Sequence, residues 1–191
     1  QEGEGVVIDG PGGGGQGAGE SREDLVLAKA QDLLERLPRN YVEEEYKVKI
    51  QKLGGLSIPL NIFLFQEIQR LQAVIGKVRF QLEQLQLAIR GEVVMTSELQ
   101  EALDKIADAS APRAWIYTLT GDEFSWILPA LGLWFSSLLA RDEQLRTWLT
   151  TGRPYCYWLT GFFNPTGFLT AMKQEVTRKH KQDKWALDDV V

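Results

Sequence analysis

Eight apolar residues near the middle of the chain, Leu64, Ile68, Leu71, Ile75, Val78, Leu82, Leu85 and Ile89, are separated by 4, 3, 4, 3, 4, 3 and 4 positions. A strand places alternate residues on one face, so this spacing demands a helix. At about 1.5 Å per residue, a helix from Asn61 to Arg90 is roughly 43 Å long, close to the diameter of a whole small domain. Such a stripe must be covered, either by a second copy in a coiled coil or by other helices of the same chain. Phe65, Val74, Phe80 and Leu87 add apolar surface off the stripe, which favours a helix packed inside a bundle. Asn61 after Pro59 is a candidate cap, and Gly91 is placed to end the helix.

The segments around this helix have the same character. Ser21 with Asp24 forms a capping-box pattern ahead of Val26, Ala30, Leu33, Leu34 and Leu37, with Pro38 as the stop. Val42, Tyr46, Ile50 and Leu53 mark a second helix, its first turn carrying Glu43, Glu44 and Glu45, and Gly54-Gly55 breaks it. Glu92 to Met95 reads as a short strand or extended link. Ser97, with Gln100 as partner, is expected to cap a helix burying Leu99, Leu103 and Ile106 before Pro112. Leu131, Phe135, Leu138, Leu145 and Leu149 give another long helix, stopped by Gly152 and Pro154. Tyr155–Leu159 resembles a short buried strand. Asn164-Pro165 opens a last helix expected to turn Leu169, Met172 and Val176 inward and to end in Arg178-Lys179-His180-Lys181. Trp185, Leu187, Val190 and Val191 look like the opening of a strand. The fold class is therefore mainly α, a bundle of long amphipathic helices with at most a few short strands.

The charge is unevenly spread. Residues 1–24 hold six acidic groups against Arg22 and nine of the 18 glycines, with no aromatic residue. Residues 1–20 therefore read as a flexible acidic linker, because a glycine-rich segment has little apolar surface to offset its ordering entropy. Residues 25–191 carry no net charge, so electrostatic capture of nucleic acid has little support. The basic group Lys173, Arg178, Lys179, Lys181 and Lys184 reads as a solvated helix end. The longest greasy stretch, Trp126–Ala140, spans 15 residues, whereas a spanning helix needs about 20. No secretory signal is visible, and the sequence reads as soluble and intracellular, with neither nucleic acid nor membrane as partner.

No catalytic, cofactor-binding or metal-binding residue is assigned. One cysteine and one histidine, Cys156 and His180, fall short of a structural zinc site. As a nucleophilic pair they are outweighed by a core cysteine and a surface histidine. The glycine-rich head lacks the lysine and Ser/Thr of a phosphate loop, and Gly-x-Ser-x-Gly is absent. The carboxylates Asp122 with Glu123, and Asp188 with Asp189, are sequence neighbours and read as solvated turn and end groups. Fourteen of the 19 aromatics fall within residues 115–185, tryptophans included, where core or docking surface is the ordinary use.

Several stretches also resemble one family. Pro59-Leu60-Asn61-Ile62-Phe63-Leu64 with Gln66-Glu67-Ile68 is similar to the opening of the C-terminal domain of dynein heavy chains. Ala88-Ile89-Arg90-Gly91, the Met95–Leu103 segment, Trp134-Phe135, Leu145–Trp148 and Gly152-Arg153-Pro154 fit the same pattern. The most specific run is Trp158-Leu159-Thr160-Gly161-Phe162-Phe163-Asn164-Pro165, continued by Gly167–Met172, Gln174–Arg178 and Trp185–Asp188. The helix Leu25–Leu37 resembles the last helix of the sixth AAA+ module, and the glycine-rich head resembles an insert of axonemal heavy chains.

The resemblance implies a packing and regulatory part of an ATP-driven microtubule motor of cilia or flagella. Residues 21–53 would be the terminal helices of the last AAA+ module. Residues 56–191 would be the helical part of the C-terminal domain, with a strand-rich lobe of the family missing, as in a piece of a longer protein. The implied partners are the AAA+ ring of the same heavy chain and, through the motor, dynein subunits and microtubules. ATP and Mg would sit in other modules, with no cofactor in this one. The implied packing and docking residues are Leu64, Ile68, Leu71, Ile75, Val78, Leu82, Trp134, Phe135, Trp158, Phe162, Phe163, Asn164, Pro165, Phe168 and Leu169. A free-standing helical protein dimerising through the 64–89 stripe is the rival reading.

Overall fold

The computed structural model describes residues 21–181 and 186–190. Among them are seven helices and no strand; the only β pairings there are isolated bridges, Ser110 with Ala130 and Tyr117 with Glu123. The helices are α1 (Arg22–Arg36), α2 (Glu43–Lys52), α3 (Pro59–Ile89), α4 (Ser97–Ala107), the single turn α5 (Arg113–Ile116), α6 (Leu131–Thr151) and α7 (Pro165–Lys179).

Helix α3 is the axis. It packs against each of the other six helices, which between them cover its apolar stripe. Leu64, Ile68, Leu71, Ile75, Val78, Leu82 and Leu85 have no exposed surface, nor has Val74 off the stripe, and Ile89 is partly buried against the same core. The stripe is thus sealed inside one molecule and leaves no seam for a coiled-coil partner, which overturns the dimer reading. Val26, Ala30, Leu33, Tyr46 and Ile50 from α1 and α2 belong to the same continuous core as Trp134, Phe135 and Phe168.

Local signals are met where the chemistry is short-range. Ser21 and Asp24 form the full capping box, Oγ of Ser21 accepting from the Asp24 N–H at 3.1 Å. Gly54 and Gly55 take φ of +109° and +77°, the left-handed backbone that turns α2 into α3. Asn164 Oδ1 accepts from the Gly167 N–H at 2.9 Å, with Pro165 at the first helical position.

Other expectations fail for identifiable reasons. Helix α3 starts at Pro59, whose missing N–H costs nothing there, so Asn61 is not its cap. Instead the buried Asn61 amide donates to Leu53 O at 3.1 Å and Gly55 O at 2.9 Å, satisfying carbonyls at the end of α2. Thr96, not Ser97, caps α4, and Gln100 turns to Asp104. Of the two readings of Glu92–Met95 the link holds and the strand does not, with Glu92 N–H bonded to Leu87 O. Tyr155–Leu159 is no buried strand: Tyr155, Cys156, Trp158 and Leu159 are exposed, and Leu159 opens a 3-10 turn to Gly161. Helix α7 buries Phe168 and Ala171 and leaves Leu169 and Met172 exposed, because Phe168 joins an aromatic cluster that fixes the helix rotation. Leu187–Asp189 is a 3-10 turn against α7 rather than a strand. The linker 1–20, Lys184, Trp185 and Val191 lie outside the described residues.

Candidate functional site

Two aromatic clusters flank the loop that joins α6 to α7. The first gathers Phe63 of α3, Trp148 of α6, Tyr157, Phe162 and Phe168, with Phe63 edge-on to Phe162 at 4.9 Å between centroids. The second stacks Trp126 on Trp134 at 4.8 Å, with Trp115 at 5.0 Å from Trp134 and Phe163 at 6.1 Å from Trp126. Ser125 ties the second cluster, donating to Trp115 O at 2.6 Å while its oxygen accepts from Trp134 Nε1 at 3.2 Å. Edge-on and stacked pairs of this kind stabilise by about 0.5–1.5 kcal/mol each beyond burial.

The loop itself is held by two buried charges. Glu67, one turn beyond Phe63 and 1% exposed, accepts from the Phe163 N–H at 2.7 Å and the Asn164 N–H at 3.1 Å. Arg70 lies 3.8 Å from it. Burial raises the Glu67 carboxyl above its ordinary value, against the lowering pull of those two N–H groups, Arg70 and Arg141. Arg141 of α6, 7% exposed, donates to Thr160 O at 3.3 Å and to Gly161 O. Its guanidinium lies over the rings of Trp126 at 4.3 Å and Trp158 at 5.0 Å. Burial lowers it to about 10, with Glu67 pulling the other way, so it stays charged at neutral pH. Gly161 is required beneath Trp158, since any side chain would run into the indole.

The expected docking residues therefore divide in two. Leu64, Ile68, Leu71, Ile75, Val78, Leu82, Trp134, Phe135, Phe162 and Phe168 are buried within the molecule and shape the scaffold. Phe163 is partly buried, while Asn164 and Pro165 start α7. Trp158 and Leu169, at 41% and 50% exposed, are the two with surface to offer a partner. Tyr155, Leu159 and Met172 share that exposure, on the loop segment and on α7, which pack against one another at the 3-10 turn.

Sequence reasoning missed Glu67 and Arg141. Their signal is a single charge at an inward helical position: Glu67 adjoins Ile68 on the stripe, and Arg141 follows Leu138 by three. Cys156 is exposed rather than in the core, and His180 sits at the α7 C-cap. Among the described residues no group of three or more His, Cys, Asp or Glu side chains is placed to hold a metal ion. No helix there is long and apolar enough to cross a membrane.

A central helix sealed by its own neighbours, two aromatic clusters and a charge-clamped loop define a mainly helical domain built around one axial helix. The protein belongs to the family formed by the C-terminal domain of dynein heavy chains, whose model matches residues 7–191. It is 50% identical over 182 residues to the dynein gamma chain of the flagellar outer arm of Chlamydomonas reinhardtii, covering 95% of this sequence and 4% of that one. It is 49% identical over 176 residues to dynein axonemal heavy chain 8 of Mus musculus, covering 92% of this sequence and 4% of that one. The chain thus spans about 4% of the length of these relatives.

Proposed function

We propose that this domain packs on the AAA+ ring of an axonemal dynein heavy chain and braces an ATP-driven microtubule motor of cilia or flagella. The observation that carries this reading is the 47–50% identity to relatives whose names place them in axonemes or a flagellar outer arm. In this reading residues 21–53 close the last ring module and residues 56–191 form the helical part of the C-terminal domain. Its partners are the ring of the same heavy chain and, through the motor, dynein subunits and microtubules. ATP and Mg are bound in the other modules, and the role of this domain is mechanical. Trp158 and Leu169 contact the ring, supported by their exposure beside an otherwise closed aromatic core.

A pulldown with the remaining motor domain tests the proposal. Association at micromolar concentration, weakened at least tenfold by Trp158→Ala with Leu169→Ala, is the expected result. Failure of the unmodified protein to associate overturns it.

A further inference from the structure

The connector between α1 and α2 is irregular, yet each of its residues from Pro38 to Tyr41 is grasped from another helix. Arg79 of α3 donates to Pro38 O at 2.8 Å. Arg146 of α6 donates to Arg39 O and lies 4.1 Å over the Tyr41 ring. Gln72 of α3 bonds in both directions, donating to Asn40 Oδ1 at 3.3 Å and accepting from the Tyr41 N–H at 2.6 Å. Tyr41 Oη donates to Asp142 O at 3.4 Å, and Asp142 holds Arg146 through both carboxylate oxygens at 3.0 and 2.8 Å. Such connectors ordinarily leave their polar groups to water. Here long, entropically costly side chains are fixed instead, and Arg79 Nε is buried without a partner among the described residues.

We infer that residues 38–41 are a strap, locked by Arg79 and Gln72 of α3 and Arg146 of α6, that makes α1 and α2 move as one body with the rest of the domain. The inference rests on the proposed function in one respect: if residues 21–53 close the last ring module, the strap is where ring movement passes into the C-terminal domain. The geometry supports the coupling because Arg146 and Asp142 are one turn apart on α6, so displacement of Tyr41 acts directly on that helix. Asp142 and Arg146 on α6 are the charged groups facing Tyr41. Burial and Asp142 push the phenol above its ordinary value, so Tyr41 remains a neutral donor at neutral pH.

Hydrogen exchange read by mass spectrometry tests the strap in this protein. Arg146→Ala, and the milder Gln72→Ala, are expected to speed exchange at the Tyr41 amide and the first turn of α2 at least tenfold. The α7 amides should stay within twofold of the unmodified protein. Unchanged exchange at Tyr41 in Gln72→Ala, which lacks the accepting carbonyl, overturns the strap. The same substitutions in the whole heavy chain, read as microtubule gliding velocity, separate the two claims. A twofold or larger change supports transmission through the strap. A loosened strap with unchanged velocity overturns the mechanical role and leaves the strap itself standing.

Discussion

Replacing Glu67 with alanine is expected to cost this domain about 2–5 kcal/mol of stability. The substitution strips acceptors from the Phe163 and Asn164 N–H groups, which are bonded at 2.7 and 3.1 Å in a partly buried site. Each orphaned donor costs about 1–3 kcal/mol. It also removes a carboxylate whose field supports the buried Arg141 guanidinium. The two donors share one carboxylate, so their costs overlap and the total stays within about 2–5 kcal/mol. Urea unfolding followed by tryptophan fluorescence should show a lower midpoint with an unchanged slope. In a protein of this size the melting temperature should fall by about 10 °C. A loss below about 1 kcal/mol, the lower bound for one orphaned donor, would refute the idea that Glu67 holds the 158–164 loop.

Further outcomes follow from neighbouring features. Because the folded value of Glu67 is raised above its ordinary 4.5, the stability it contributes is fully present below that pH and declines as pH rises through the folded value. Glu67→Gln should therefore flatten that part of the stability–pH curve, and an identical slope in chemical denaturation as pH rises above 4.5 would contradict the assignment. Asn61→Ala should cost about 1–3 kcal/mol by urea titration, since it strands the carbonyls of Leu53 and Gly55. Leu71→Ala, at a site with no exposure, should cost about 2–5 kcal/mol, and the unmodified protein should sediment as a monomer; a stable dimer of the unmodified protein, or a loss below about 1 kcal/mol in Leu71→Ala, would contradict the sealed stripe. The exposed Cys156 should react with a maleimide without denaturant, and a silent thiol would contradict its position.

What was legible in the sequence was whatever depends on spacing along one helix. The 4-3 stripe of α3, the Ser21–Asp24 box and the Asn164-Pro165 start are short-range patterns, and the structure keeps them. Rotation of a helix about its axis is set by its neighbours, so α7 turned Phe168 inward where the pattern pointed to Leu169. The strand expected at Tyr155–Leu159 does not form, because that segment packs by single side chains, with Gln144 bonding both Trp158 N–H and O. Glu67 and Arg141 show in the sequence only as single charges at inward helical positions, because the loop groups they hold lie about 20 to nearly 100 residues away. The resemblance to dynein heavy chains spreads over most of the sequence, and its most specific run, residues 158–165, contains the loop those two charges hold.

Cys156, two residues from Trp158, offers the most direct test of the proposal that this domain packs on an AAA+ ring through Trp158 and Leu169. Its maleimide labelling rate, read on the peptide containing it, is to be measured with and without the remaining motor domain at saturating concentration. At least tenfold slower labelling in the presence of the motor domain is the predicted result. Equal rates, under conditions where the two proteins co-sediment, would contradict that docking face.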